Sequence, residues 1–259
     1  MNIMDGERIR LSVADGIARI TFVNPKNHNA MDLKFCAEFS RAALECEIHP
    51  DARVIVIAAE GDVFSPGGDI TDMVAHKNDV HAHVLDMATR IHIAVLSLAR
   101  APAPVIAAVN GMAAGGAFSL VAGCDVVIAK KSAKFNSAFT RSGFTPDAGG
   151  TYWFPRVAGG RKAFWIMATN PTLTADQAAE IGLVSQVVDD DKFEAEVERV
   201  ARQFAASVPG ALAGLKALFR SSRSSTLDEQ LNAEARSIAA RCAEPETMAR
   251  LMAFVEKKR

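Results

Sequence analysis

Positive charge in excess is the first thing this chain lacks. Its 259 residues carry 29 Lys and Arg against 30 Asp and Glu, a formal net charge of −1, and no basic run exceeds three residues. Nucleic acids and anionic membranes are held by concentrated positive surface, so both are excluded as expected partners. No stretch reads as the roughly 20 apolar residues of a membrane span. Met1 to Arg10 are polar and charged, which predicts no cleaved signal peptide and a soluble, cytoplasmic chain. Cysteines are few (Cys36, Cys46, Cys124, Cys242) and widely spaced, without a C-x-x-C pair; they read as buried free thiols in a reducing compartment. G-x-G-x-x-G, the Walker pattern and the G-x-S-x-G elbow are all missing, which disfavours nucleotide binding and serine hydrolysis. What is abundant is apolar residue, 49% of the chain, enough for a sizeable core.

Apolar patterning predicts one α/β core with a helical tail. Arg8 to Val13 and Ile17 to Val23 alternate around Asp15-Gly16, a hairpin signal. Asn29 and Asp32 are expected to cap a helix with the stripe Phe35, Phe39, Ala42/Ala43 and Cys46. Three β-branched runs, Val54 to Ala59, Val105 to Val109 and Asp125 to Ala129, read as strands buried on both faces. Between the first two lie a polar segment from Asp72 to about His83, expected as a loop, and a helix over Val84 to Ala99. Ala113 to Val121 reads as a short apolar helix, and Leu183 to Val188 as a further strand. Strand, crossover helix, strand is the recipe for a largely parallel sheet covered by helices. Thr174 with Gln177 and Thr226 with Glu229 form capping boxes, and Pro245 suits a first helical turn. The expected division is 1–191 as α/β core and 192–259 as helical subdomain.

Two glycine pairs each follow a buried strand: Gly67-Gly68, and Gly115-Gly116 near the start of the short apolar helix. Glycine admits positive φ and close backbone approach, and N–H groups in a first helical turn lack intrahelical acceptors. Two such donors converging on a thioester oxygen would stabilise an enolate; spacing alone leaves open two tight turns without a ligand.

The segments Phe64-Ser-Pro-Gly-Gly-Asp-Ile-Thr-Asp-Met73, Asn110-Gly-Met-Ala-Ala-Gly-Gly116 and Pro146-Asp-Ala-Gly-Gly-Thr151 together resemble the signature blocks of the crotonase superfamily, the enoyl-CoA hydratase/isomerase family. The blocks stand in the family's order, and the resemblance runs from Asn24-Pro25 to Lys257. It implies a crotonase-like spiral of ββα units with a helical C-terminal trimerisation subdomain, and a homotrimer or hexamer. It implies an acyl-CoA substrate, with no cofactor beyond the CoA that is part of it. Backbone N–H groups of Gly68 and Gly116 would form the oxyanion hole. CoA would lie along Lys26, Asn27 and Ala30 and along Pro66, Asp69, Ile70 and Thr71, with Lys257 of a neighbouring subunit reaching the phosphates.

The family's hydratases use two glutamates, and the matching positions here hold Ser119 and Phe139, the latter then a substrate contact. A hydroxyl of very high pKa and a phenyl ring cannot replace a general acid and base. Asp147 remains, between apolar and aromatic residues (Phe139, Phe144, Trp153), where the resemblance to Pro-Asp-x-Gly-Gly isomerases implies a catalytic aspartate. One carboxyl that takes a proton from Cα and returns it to Cγ suffices to move a double bond from β,γ to α,β. Turn or cap chemistry is the structural alternative for Asp147. His92, on the arc of Ala88, Leu96 and Ala99, reads as buried; resemblance to aryl-CoA dehalogenases makes it a further candidate beside Asp147. Hydratase-like chemistry, dehalogenase-like chemistry and non-catalytic acyl-CoA binding stay open. His81-x-His83, two ligands in a polar loop, makes a poor metal site, and no metal is expected.

Overall fold

The computed structural model describes residues 2–208 and 210–256. Lys257, assigned above to CoA phosphates, lies outside the described residues.

β1 (Asn2–Asp5), β2 (Ile9–Ala14) and β3 (Ile17–Phe22) form an antiparallel meander. Ala14 pairs with Ile17 across a two-residue turn in which both Asp15 (φ 52°) and Gly16 (φ 78°) are left-handed, the twist a tight hairpin requires. A single 3-10 turn (Pro25–Asn27) leads to α1 (Leu33–Ile48), whose cap is Asp32: its carboxylate accepts from the Phe35 N–H at 2.7 Å. The predicted stripe from Phe35 to Cys46 is buried. Asn29 does not share the capping. It is buried with φ 60° and ties its loop across to the chain beyond, donating to the carbonyls of Glu60 (3.0 Å) and Val63 (2.9 Å).

Next come β4 (Val54–Ala59), β5 (Val63–Ser65), α2 (Ile70–Ala75) and α3 (Val80–Arg100). The polar segment expected as a loop is thus α2 and the first turn of α3; Asp69 supplies the missed helix start, accepting from the N–H groups of Thr71 and Asp72. Then follow β6 (Val105–Val109), β7 (Met112–Ala114), α4 (Gly116–Ala122), β8 (Val126–Lys130), β9 (Lys134–Asn136), α5 (Gly150–Ala158) and α6 (Gly160–Thr169). Ala113 and Ala114, read as the start of the short apolar helix, belong instead to the strand Met112–Ala114, which pairs with both β5 and β9. The chain ends with β10 (Leu173–Thr174), α7 (Ala175–Glu180), β11 (Gln186–Val188), α8 (Phe193–Ala205), α9 (Ala211–Ser221), α10 (Leu227–Cys242) and α11 (Pro245–Glu256). Both capping boxes are formed.

A seven-stranded sheet runs β1-β2-β3-β4-β6-β8-β11, and a four-stranded sheet runs β10-β9-β7-β5. Each of the pairs β4/β5, β6/β7 and β8/β9 puts one strand into each sheet before a helix returns. Successive units stack in parallel, β4 on β6 on β8 and β5 on β7 on β9. That is a spiral of ββα units. Strand alternation divides the burial of β4: Ile55 and Ile57 enter the core beneath α1 and α3, while Val54 and Val56 enter the opposite face, against Phe193, Val197 and Val200 of α8. The start of the 192–259 segment is therefore packed on the sheet. Burying each of those three side chains is worth about 2 kcal/mol.

Among the described residues α3 alone has the length and composition of a membrane-crossing helix, a feature the sequence reading did not single out. Its apolar face is taken up by packing on α1, with Met87, Ile91, Ala94 and Leu98 buried. All four cysteines are free, and Cys242 is exposed rather than buried because α10 buries no residue.

Candidate active site

The two glycine pairs meet. Gly67 has φ 90°, and a Cβ there would lie 2.8 Å from the Ala114 carbonyl oxygen and 2.9 Å from Gly116 N. Only glycine lets these backbones approach so closely. In each pair the first N–H is used internally: Gly67 donates to Ser65 Oγ (3.1 Å) and Gly115 to the Asn136 carbonyl (3.1 Å). The second N–H of each pair stays free. A parallel bridge joins Met31 to Gly68 through the Gly67 carbonyl and the Asp69 N–H, which leaves the Gly68 N–H out of it. Gly116 opens α4, where an N–H has no intrahelical acceptor. Among the described residues neither N–H donates to a protein acceptor. Met73 flanks Gly68 and Met31 flanks Gly116, so the donors sit between apolar side chains that strengthen any charge they stabilise.

Asp147 comes to the same place. Its Oδ1 would lie 3.6 Å from a Cβ on Gly116, and that oxygen is buried without a hydrogen-bond partner. Burial pushes the Asp147 carboxyl above its ordinary value, opposed by the nearby His92 ring and by a backbone hydrogen bond. The turn that presents it is strained. The Gly150 N–H returns to the Asp147 carbonyl (2.9 Å), and both central residues are left-handed, Ala148 at φ 48° and Gly149 at φ 78°. Positive φ at an alanine costs about 1–2 kcal/mol and persists only where surroundings enforce it. His92 supplies part of that enforcement, its Nε2 accepting from the Ala148 N–H at 3.3 Å.

His92 is not buried as expected: it is exposed, because α3 docks on α1 through Met87, Ile91, Ala94 and Leu98, leaving the arc of His92 and Leu96 to line a pocket. Phe139 is buried, whereas Phe144 is largely exposed. Trp153 packs under the turn with its indole nitrogen against Gly149 and Gly123. Ser119 is fully buried with Oγ unpartnered, pressed against Gly150.

The loop with Lys26, Asn27 and Ala30 is fastened to the segment Pro66–Thr71 by the Met31–Gly68 bridge and by Asn27 Nδ2 donating to Asp69 Oδ2 at 2.7 Å. Lys26, Pro66, Ile70 and Thr71 are exposed, while Ala30 and Asp69 are buried. Asp69 spends its carboxylate on Asn27, Thr71 and Asp72, so it shapes the loop.

Sequence reasoning missed one cluster, hidden by the loop assignment. His83 Nε2 lies 2.7 Å from Asp72 Oδ2, and its ring stacks on His76 at 3.7 Å. Ligand atoms of Asp72, His76 and His83 fall within 4.8 Å of one another, the group among the described residues able to hold a metal ion. The spacings Asp72/His76 (i, i+4) and His76/His83 were the available signal. His81 is exposed and takes no part.

Residues 12–259 match the family model for enoyl-CoA hydratase/isomerase. The chain belongs to the enoyl-CoA hydratase/isomerase family. Its architecture agrees: a crystal structure of an enoyl-CoA hydratase from Polaromonas sp. JS666 superposes with a TM-score of 0.90 at 30% identity, covering 96% of this chain and 97% of that one. Among enoyl-CoA hydratase/isomerase relatives, the 1,2-epoxyphenylacetyl-CoA isomerase of Escherichia coli K12 is 34% identical over 232 residues, 88% of this chain and 87% of its own. The 4-chlorobenzoyl coenzyme A dehalogenase-2 of Arthrobacter sp is 32% identical over 260 positions, 100% of this chain and 94% of its own. An isomerase and a dehalogenase thus stand at the same level of similarity to this chain.

Proposed function

We propose that this enzyme shifts a double bond from β,γ to α,β in an enoyl-CoA, with Gly68 and Gly116 N–H groups as oxyanion donors and Asp147 as the single proton shuttle. The observation that carries the reading is the buried, unpartnered Asp147 Oδ1 beside Gly116. Asp147 as carboxylate takes the proton from Cα, and the electrons of that C–H bond form a dienolate whose negative oxygen rests on the two N–H groups. Asp147, now the acid, returns the proton to Cγ; electrons flow back from the oxygen, the thioester carbonyl reforms and the double bond ends between Cα and Cβ. A carboxyl raised by burial is a usable acid in the second half, and the step needs no water. Ser119 and Phe139 place no carboxylate that could activate water, which argues against hydration.

CoA, on this reading, lies along Lys26, Asn27 and Ala30 and across Pro66, Ile70 and Thr71, the strands of loop that the Met31–Gly68 bridge joins. Exposed Leu215, Phe219, Leu231 and Ile238 on α9 and α10 support assembly through the helical tail as a homotrimer or hexamer.

The test follows 3-hexenoyl-CoA by NMR. The enzyme converts it to the 2-enoyl isomer and Asp147→Asn does not; undiminished conversion by Asp147→Asn would refute the role. A second reading, substitution at a halogenated aryl-CoA, is favoured by one contact, His92 Nε2 at 3.3 Å from the Ala148 N–H. There Asp147 would attack the ring carbon, halide would leave, and water deprotonated by His92 would cleave the resulting ester. Halide release from 4-chlorobenzoyl-CoA with no isomerisation of 3-hexenoyl-CoA would select it.

A further inference from the structure

Behind the catalytic turn lies a pocket of about 820 Å³ between α3, α5 and the end of α9. That size suits a small-molecule group. Its wall is apolar and aromatic, with Val95 and Leu96 from α3 and Tyr152 and Trp153 from α5. Its charge is of one sign: Arg100, Arg220 and Arg223 line it, and no Asp or Glu does. Among the described residues none of these arginines forms an ion pair or a hydrogen bond with a carboxylate. Arg223 is nonetheless held in place, its guanidinium 4.2 Å from the Trp153 ring and 5.8 Å from that of Tyr152. A guanidinium standing on aromatic faces with its donors unused, as Arg223 does, is arranged to receive a carboxylate.

The pocket adjoins the reacting site. His92 and Gly149 line it, and both belong to the turn that aims Asp147 at Gly116, one through its hydrogen bond to Ala148 and the other as a turn residue. We propose that the pocket binds the terminal carboxylate of the acyl group, so that the substrates are CoA thioesters of dicarboxylic acids. This rests on the proposed acyl-CoA site but not on the proton-shuttle step.

Saturated thioesters separate the two, because they bind without isomerising. The intact protein in its solution assembly would be titrated calorimetrically with adipoyl-CoA against hexanoyl-CoA, and suberoyl-CoA against octanoyl-CoA. Each pair shares its CoA and chain length and differs in one terminal carboxylate. The carboxylated member is expected to bind about tenfold more tightly at low ionic strength, as a charge-assisted contact on an exposed arginine allows. The preference should fall as salt rises, and Arg223→Gln combined with Arg220→Gln should bring the ratio toward one. Equal affinity within both pairs would overturn the proposal, as would a double variant that weakens both members equally, which assigns the arginines to CoA phosphates. No binding of any thioester would overturn this proposal and the acyl-CoA site together. A carboxylate preference in a protein that leaves 3-hexenoyl-CoA unchanged would sustain the pocket and sink only the proton shuttle.

Discussion

Replacing Gly67 by alanine strikes at the convergence of the two glycine segments while leaving both donor residues, Gly68 and Gly116, unsubstituted. The new methyl would stand 2.8 Å from the Ala114 carbonyl oxygen and 2.9 Å from Gly116 N, both backbone atoms that cannot turn aside as a side chain would. The residue also carries φ 90°, where alanine costs about 1–2 kcal/mol. Relief requires the Gly67–Gly68 arm to move away from α4, and a displaced donor forfeits about 3 kcal/mol of transition-state stabilisation, roughly 10²-fold in kcat. Gly182→Ala is the control. Gly182 has φ 81°, but its nearest neighbour is the Val157 carbonyl oxygen at 3.4 Å, an ordinary contact. Both variants should lose stability by their backbone strain, about 2–4 °C of Tm per kcal/mol in a chain of this size. Only Gly67→Ala should lose turnover of 3-hexenoyl-CoA by two orders of magnitude. Wild-type kcat in a folded Gly67→Ala protein would refute the claim that the two arms form one oxyanion hole.

Other consequences are open to measurement. Burial raises the Asp147 carboxyl, so the folded state binds a proton that the unfolded chain gives up near its ordinary value of 3.8. Stability from this group is present below that value and is lost as pH rises through the folded one; Asp147→Asn should therefore raise Tm at pH 7, with the gain shrinking as pH falls through the raised folded value and gone below 3.8. His92→Gln keeps an acceptor for the Ala148 N–H and should retain more isomerase activity than His92→Ala, which loses about 1 kcal/mol of support for the turn; equal losses in kcat would show that the contact does not position Asp147. Ser119→Ala removes a buried hydroxyl that has no partner and should leave kcat and Tm within error, whereas Ser119→Glu, forced against Gly150, should lower Tm by several degrees without producing hydratase activity.

Where one physical signal decided an element, the sequence was enough to read it. Asp15-Gly16 between alternating runs could only be a tight hairpin, and the β-branched run Val54–Ala59 had to be buried on both faces. Both capping boxes followed from side chains three residues apart. Errors arose where tertiary pairing overrode local pattern. Ala113 and Ala114 looked like helix and are strand because β5 and β9 flank them. α2 was missed because its cap, Asp69, sits inside a glycine-rich run that reads as loop. Period 3.6 placed His92 on an apolar arc, but α3 has two such arcs, and only the one facing α1 is buried. The pairing of the glycine segments was legible only through resemblance, since nothing in their spacing required Gly67 to touch Gly116. The arginine pocket joins residues from His92 to Arg223, and the Asp72–His83 contact depends on how α2 folds back on α3.

An enolate held by Gly68 and Gly116 and reprotonated by Asp147 leaves its mark in where solvent hydrogen enters the acyl chain. The enzyme would be incubated in deuterated water with 3-hexenoyl-CoA, and label located by mass spectrometry. The protonated Asp147 exchanges with the deuterated solvent over repeated reversible turnovers, so deuterium is expected at Cα and Cγ with the wild-type enzyme and at neither position with Asp147→Asn. Conversion or binding of the thioester with no label at Cα would contradict it.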